Sequence, residues 1–169
     1  MLARSGRRGG LWLNHHGASQ KFAATPSSTN LADNLESVIG YKKIKGSEAY
    51  HIIPKSEAGA GELREMMEVF GIHLDDASNG TFMVGPNTRH QFRENLEWLD
   101  GLGAYYQNHG NSSKYLSQLN SDLAGYVEIS KQRTPTAAEV ERLKNELQKI
   151  ASKVANGEYK TPTGELAWP

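Results

Sequence analysis

The residues best suited to chemistry are His51, inside the run Ala49-Tyr50-His51-Ile52-Ile53-Pro54-Lys55, and Asn79 of the Asn79-Gly80 pair downstream. A histidine titrates near neutral pH and can serve as a general base. Two more histidines, His90 and His109, follow a second apolar run at residues 81–84, and imidazoles are good ligands for divalent metals. A base on one strand, a turn, a return strand and a helix bearing metal ligands are the parts that phosphodiester hydrolysis needs. That reaction requires a deprotonated water, neutralised charge on the phosphate and a stabilised leaving oxygen. Lys55 and Arg89 flank the set and are candidate phosphate contacts.

The elements that must position these residues can be read from periodicity. From Ser28, Leu31, Leu35, Val38 and Ile39 share a helical face, and Gly40 stops the run. Residues 49–53 suit a strand that Pro54 limits. Leu63, Met66, Met67 and Phe70 recur at helical spacing, with Gly71 as the C-cap, and the methionines read as core packing. A loop follows to Asn79-Gly80, which reads first as a turn signal. Residues 81–84 form the return strand and residues 85–87 a turn. Thr88 and Gln91 have capping-box spacing for a further helix, with Phe92, Leu96 and Leu99 on its buried face. Residues 112–126 read as helical. Thr136 and Glu139 open a last helix striped by Val140, Leu143, Leu147, Ile150 and Val154, which ends at Asn156-Gly157.

Residues 1–28 are rich in Gly, Ser, Arg and Ala and are expected to be a flexible arm or linker. His15-His16 falls there and reads as part of a solvated loop. Residues 29–157 are expected to be one domain, with a core motif at 49–123 and a C-terminal helix at 136–156, and residues 158–169 a tail. The fold class is α+β, mostly helical around one small hairpin.

Composition narrows the functions. The 169 residues contain no cysteine, which excludes disulfides, thiolate zinc sites and a cysteine nucleophile. Any metal must be held by His, Asn, Asp or Glu. Net charge is zero, although Lys42, Lys43, Lys45 and Lys55 gather around the histidine motif. Apolar runs are too short for a membrane span, and Leu11-Trp12-Leu13 after Arg4, Arg7 and Arg8 is too short for a secretory h-region.

Taken together, these residues resemble the HNH/endonuclease VII superfamily, in particular its AHH group of bacterial toxin nucleases. The resemblance rests on His51-Ile52-Ile53-Pro54, on the stretch Gly71-Ile72-His73-Leu74-Asp75-Asp76-Ala77-Ser78-Asn79-Gly80, and on Asn108-His109 followed by Tyr115. It runs from residue 49 to about residue 123, under half of the chain. It implies a small ββα-metal finger with His51 and Asn79 catalytic and a divalent ion (Mg²⁺, Mn²⁺ or Zn²⁺) held by His90 and/or His109. The family's first histidine, a metal ligand, stands here as Tyr50. Three readings of that departure follow: a site with fewer protein ligands and more water, a disabled site, or a tyrosine that stacks on or hydrogen-bonds the substrate.

The resemblance further implies an endonuclease acting on DNA in preference to RNA. Its setting would be bacterial antagonism: secretion or delivery into a target bacterium, action in the cytoplasm, and a cognate immunity protein as partner, with no membrane association. The alternative is a catalytically inactive binding or structural module whose metal site was lost at Tyr50.

Overall fold

The structure, a computed structural model, describes residues 10–13, 19–39, 47–84, 105–106, 113–165 and 167. In chain order these form β1 (Gly10–Leu13), β2 (Ser19–Phe22), α1 (Ser28–Ile39), β3 (Ser47–His51), α2 (Gly61–Phe70), β4 (Gly80–Val84), β5 (Tyr105–Tyr106), α3 (Ser113–Gln132) and α4 (Ala137–Ala155). Short 3-10 turns at Ala58–Ala60 and Ala77–Asn79 precede α2 and β4. The chain is α+β and mostly helical. The turn expected at residues 85–87 and the capped helix expected from Thr88 lie outside the described residues, as do His15 and His16.

The centre is a three-stranded sheet in the order β3-β4-β5. β3 and β4 are antiparallel, with Ser47 opposite Val84 and His51 opposite Gly80. β5 adds in parallel, with Met83 opposite Tyr105. Side chains on a strand alternate between faces, and β3 is buried on both. Tyr50 turns into the main core with Leu63, Met66, Met67, Tyr115 and Leu119. Ala49 turns the other way, onto Leu31 and Leu35 of α1 and onto Ala77.

The helices follow their sequence signals closely. Ser27 caps α1 by accepting the Asn30 amide proton at 3.1 Å. α2 ends at Gly71, whose φ of 74° is left-handed and so favours glycine. Thr136 and Glu139 form a reciprocal capping box at the start of α4. α3 runs six residues beyond the expected end at Tyr126, because Val127 extends the buried stripe of Leu119 and Leu123.

The turn signal at Asn79-Gly80 takes the form of a 3-10 turn: Asn79 closes it, and Gly80 opens β4 with an extended φ of −149°. Glycine is needed there because a Cβ would sit 2.6 Å from the Leu31 side chain of α1. The described part of the segment expected to be a loose arm is seated on the body. The Gln20 amide bonds Asp76 and the Ala77 backbone, and the Lys21 backbone bonds Asn34. Those contacts are polar, so hydrophobic periodicity could not register them. The segment expected to be a tail also docks: Tyr159 and Ala167 are buried, joined by an Ala167 amide to Tyr159 carbonyl hydrogen bond of 2.8 Å.

No helix among the described residues is long and apolar enough to cross a membrane.

Candidate active site

His51 is the last residue of β3, and the chain leaves the strand immediately after it. Asn79 is the reason. Its carbonyl accepts the Ile52 amide proton at 2.8 Å, and its side-chain oxygen accepts that of Ile53 at 2.8 Å. Its side-chain nitrogen donates to the carbonyls of Ile53 and Leu74, at 3.2 and 2.9 Å. Asn79 is fully buried, with its carbonyl and both amide hydrogens engaged by backbone. It clasps the segment after His51 to the segment before β4. Tyr115 of α3 adds a further restraint, donating its hydroxyl proton to the Ile52 carbonyl at 2.6 Å. Unpaired backbone groups in such a dry place would be costly, so each bond here also fixes the chain's path.

The His51 side chain is 6% exposed, and its Nε2 lies 2.7 Å from Oδ1 of Asp75. Asp75 is completely buried. Its two carboxyl oxygens also receive the Ser27 amide proton, at 3.1 and 3.0 Å. The residue's backbone is held as well: its carbonyl accepts from Asn34 at 2.7 Å, and its amide donates to Nδ1 of His73 at 2.9 Å. His73 donates from Nε2 to the Ala23 carbonyl at 2.7 Å and packs its ring on Phe22. His73 is therefore a half-buried brace between the loop and the segment before α1. The other ring nitrogen of His51, Nδ1, has no hydrogen-bond partner among the described residues.

Tyr50 points the opposite way. It is 8% exposed in the helical core, its ring in edge contact with that of Tyr115 at 6.4 Å. Burial pushes its hydroxyl far above the ordinary tyrosine value, and the neighbouring Tyr115, with which it shares a hydrogen bond, adds to the effect. A phenol held neutral in this way is a weak ligand for Mg²⁺ or Zn²⁺. The structure thus seats the candidate ligand Tyr50 in packing rather than beside His51.

Lys55 is exposed, four residues beyond His51. It stands on the wall of a cavity of about 420 Å³ with Pro26, Arg64, His73 and Leu74. His51 is not part of that wall, so this hollow and the histidine are neighbours and not one site. His90, Arg89 and His109 lie outside the described residues. Among the described residues, no group of three His, Asp or Glu side chains is placed to hold a metal ion.

Sequence reading missed Asp75, Ser27, Asn34 and Gln20 as parts of this site. Asp75 was visible only as one member of a matched stretch. Its pairing spans 24 residues to His51 and 48 to Ser27, and no local pattern encodes such distances. The usable signal was the adjacent acidic pair Asp75-Asp76 set between the apolar residues Ile72, Leu74 and Ala77, since buried carboxylates need donors.

No curated protein and no solved structure matches the chain. The model of one protein family matches residues 31–154, which is more than half of the chain. That span includes α1 from Leu31 and nearly all of α4, so the likeness extends well beyond the residues 49–123 that carried it in the sequence. A strand ending in a buried, hydrogen-bonded histidine, clasped by an asparagine from the turn that precedes the return strand, is the arrangement inside the matched region. The chain belongs to the AHH family, a nuclease family of the HNH/ENDO VII superfamily with conserved AHH.

Proposed function

We propose that this protein is an endonuclease that hydrolyses phosphodiester bonds of DNA, in preference to RNA, with His51 as the general base. The observation that carries the reading is the state of His51. One ring nitrogen is bonded at 2.7 Å within the protein, and the other has no partner among the described residues. A base needs that combination of fixed orientation and a free lone pair. Asn79 acts by holding the backbone that follows the base and the loop that carries Asp75. Lys55, exposed nearby, and Arg89 are assigned to phosphate contacts that position the substrate.

The family's chemistry calls for a divalent ion, and the described residues alone do not form a site for one. Asn79 is turned to backbone and Tyr50 to the core, so the ligands assigned are His90 and His109. Such an ion, when bound, neutralises charge on the scissile phosphate and stabilises the leaving oxygen. Residues 29–157 are taken as the nuclease domain, built on a ββα-metal finger, and the setting as an antagonism toxin delivered into bacterial cytoplasm and neutralised by an immunity protein.

A second reading, a catalytically inactive binding or structural module, is favoured by one observation: Tyr50, at the position of the family's ligand histidine, is part of the core. Expression in a bacterial cytoplasm separates the two. The nuclease reading expects growth arrest with the chain as it stands and relief by His51→Ala. Free growth with both forms supports the inactive module.

A further inference from the structure

The partners of Asp75 determine which nitrogen of His51 can do chemistry. A carboxylate only accepts hydrogen bonds, and the donors around Asp75 suit a carboxylate. The Ser27 amide, which can only donate, reaches both of its oxygens at 3.1 and 3.0 Å. His73 does not compete for them, because its two ring nitrogens are taken by the Asp75 amide and the Ala23 carbonyl. The nitrogen of His51 that lies 2.7 Å from Oδ1, Nε2, must therefore carry the proton. That leaves the lone pair on Nδ1.

We propose that Asp75 is a positioning residue that holds His51 in the Nε2–H tautomer and so makes Nδ1 the atom that takes the proton from the attacking water. The Ser27 amide and the Asn34 side chain, which anchor Asp75, are the supports of that device. This inference rests on the nuclease reading. In the step it describes, a water O–H proton moves to Nδ1 as the water oxygen bonds to phosphorus. The bond from phosphorus to the leaving sugar oxygen breaks, its electron pair stays on that oxygen, and solvent supplies the proton it needs. The imidazolium formed faces the Asp75 carboxylate and then returns its proton to solvent. A buried carboxylate serving a histidine in this way sets tautomer and orientation without itself being protonated.

Asp75→Asn tests the assignment with almost no change of shape. The asparagine oxygen can still accept from the Ser27 amide, while its NH₂ group faces Nε2 and donates to it. The proton on His51 is thereby forced to Nδ1. The measurement is the ¹⁵N spectrum of the His51 ring at alkaline pH, assigned by its loss in His51→Gln, in the full chain and in Asp75→Asn. It is paired with plasmid nicking in Mg²⁺ or Mn²⁺.

The full chain is expected to show a protonated Nε2 and an unprotonated Nδ1, and the variant the reverse. The variant's kcat is expected to fall about 10²- to 10⁴-fold with little change in KM, the scale of a lost general base. A full chain with the proton on Nδ1, or a folded Asp75→Asn protein with unchanged kcat, overturns the proposal. The spectrum of the unaltered chain decides the tautomer even if the variant does not fold. A chain that nicks no plasmid but holds His51 as Nε2–H defeats the nuclease reading and upholds the tautomer assignment. A chain that nicks DNA with the proton on Nδ1 does the opposite.

Discussion

At the residue scale, two neighbours on one strand have opposite fates. His51 faces Asp75 and Tyr50 faces Tyr115, because a strand alternates its side chains. That alternation resolves the readings of Tyr50 into a prediction. Tyr50→Phe removes the hydroxyl shared with Tyr115 and should lower stability by roughly 0.5–1.5 kcal/mol, the usual value of one buried hydrogen bond. Nicking activity should be unchanged. Thermal unfolding and a plasmid assay check both parts, and a large loss of activity in a stably folded Tyr50→Phe protein would return the tyrosine to the substrate. The sequence showed His51 and Asn79 clearly, because a histidine before Ile-Ile-Pro and an Asn-Gly pair are local signals. It suggested that Asn79 bonds backbone across the hairpin, but could not show that the groups are those of Ile52, Ile53 and Leu74, or that Asp75 is the partner of His51. Those facts exist only once residues 27, 51, 75 and 79 are brought together.

At the element scale, the site depends on how α1 and α4 are seated. Gly80 lets Leu31 of α1 close onto β4, so Gly80→Ala should force that contact apart. A cost of about 1–3 kcal/mol, typical of overpacking, is expected in denaturant unfolding. The start of α4 gives a pH signature. The Glu139 carboxylate receives both guanidinium nitrogens of Arg133, at 2.8 and 2.6 Å, and the Thr136 amide at 2.8 Å. The Arg133 bond first, then the Thr136 backbone, hold its pKa down at about 2 against an ordinary 4.5. A carboxyl depressed in the folded state stabilises fully above its unfolded pKa and loses that stabilisation as pH falls through the folded value. Wild type should therefore be more stable than Glu139→Gln at neutral pH, with the gap closing as pH drops from about 4.5 towards about 2. A pH series of melting temperatures checks this, and a constant gap would remove Glu139 from the acid response. These helices were legible because capping boxes and apolar stripes are local. The end of β3 was not, because a tertiary clasp by Asn79 stops the strand two residues before its apolar run ends.

At the scale of the whole molecule, the segment preceding α1 belongs to the site. Ser27, Ala23 and Gln20 bond Asp75, His73, Asp76 and Ala77, so the loop that carries the partner of His51 is closed on one side by residues that looked like a linker. A chain beginning at Ser28 should retain its helical core of α2, α3 and α4 but lose these bonds. Each buried group left unsatisfied costs about 1–3 kcal/mol, so a lower melting temperature and weaker cleavage are expected together. Full activity in the shortened chain would show that the segment is dispensable. Polar docking of this kind leaves little trace in composition, which is why the arm read as loose while the core read correctly.

The central claim is that His51 makes this AHH-family chain a metal-dependent nuclease. The most direct measurement is nicking of supercoiled plasmid by the purified chain and by His51→Ala, with Mg²⁺ or Mn²⁺ and with EDTA. The account predicts cleavage by the unaltered chain, its abolition by EDTA and a loss of about 10²- to 10⁴-fold in His51→Ala. Cleavage that survives in His51→Ala, or an unaltered chain that leaves DNA intact with every metal, would contradict it.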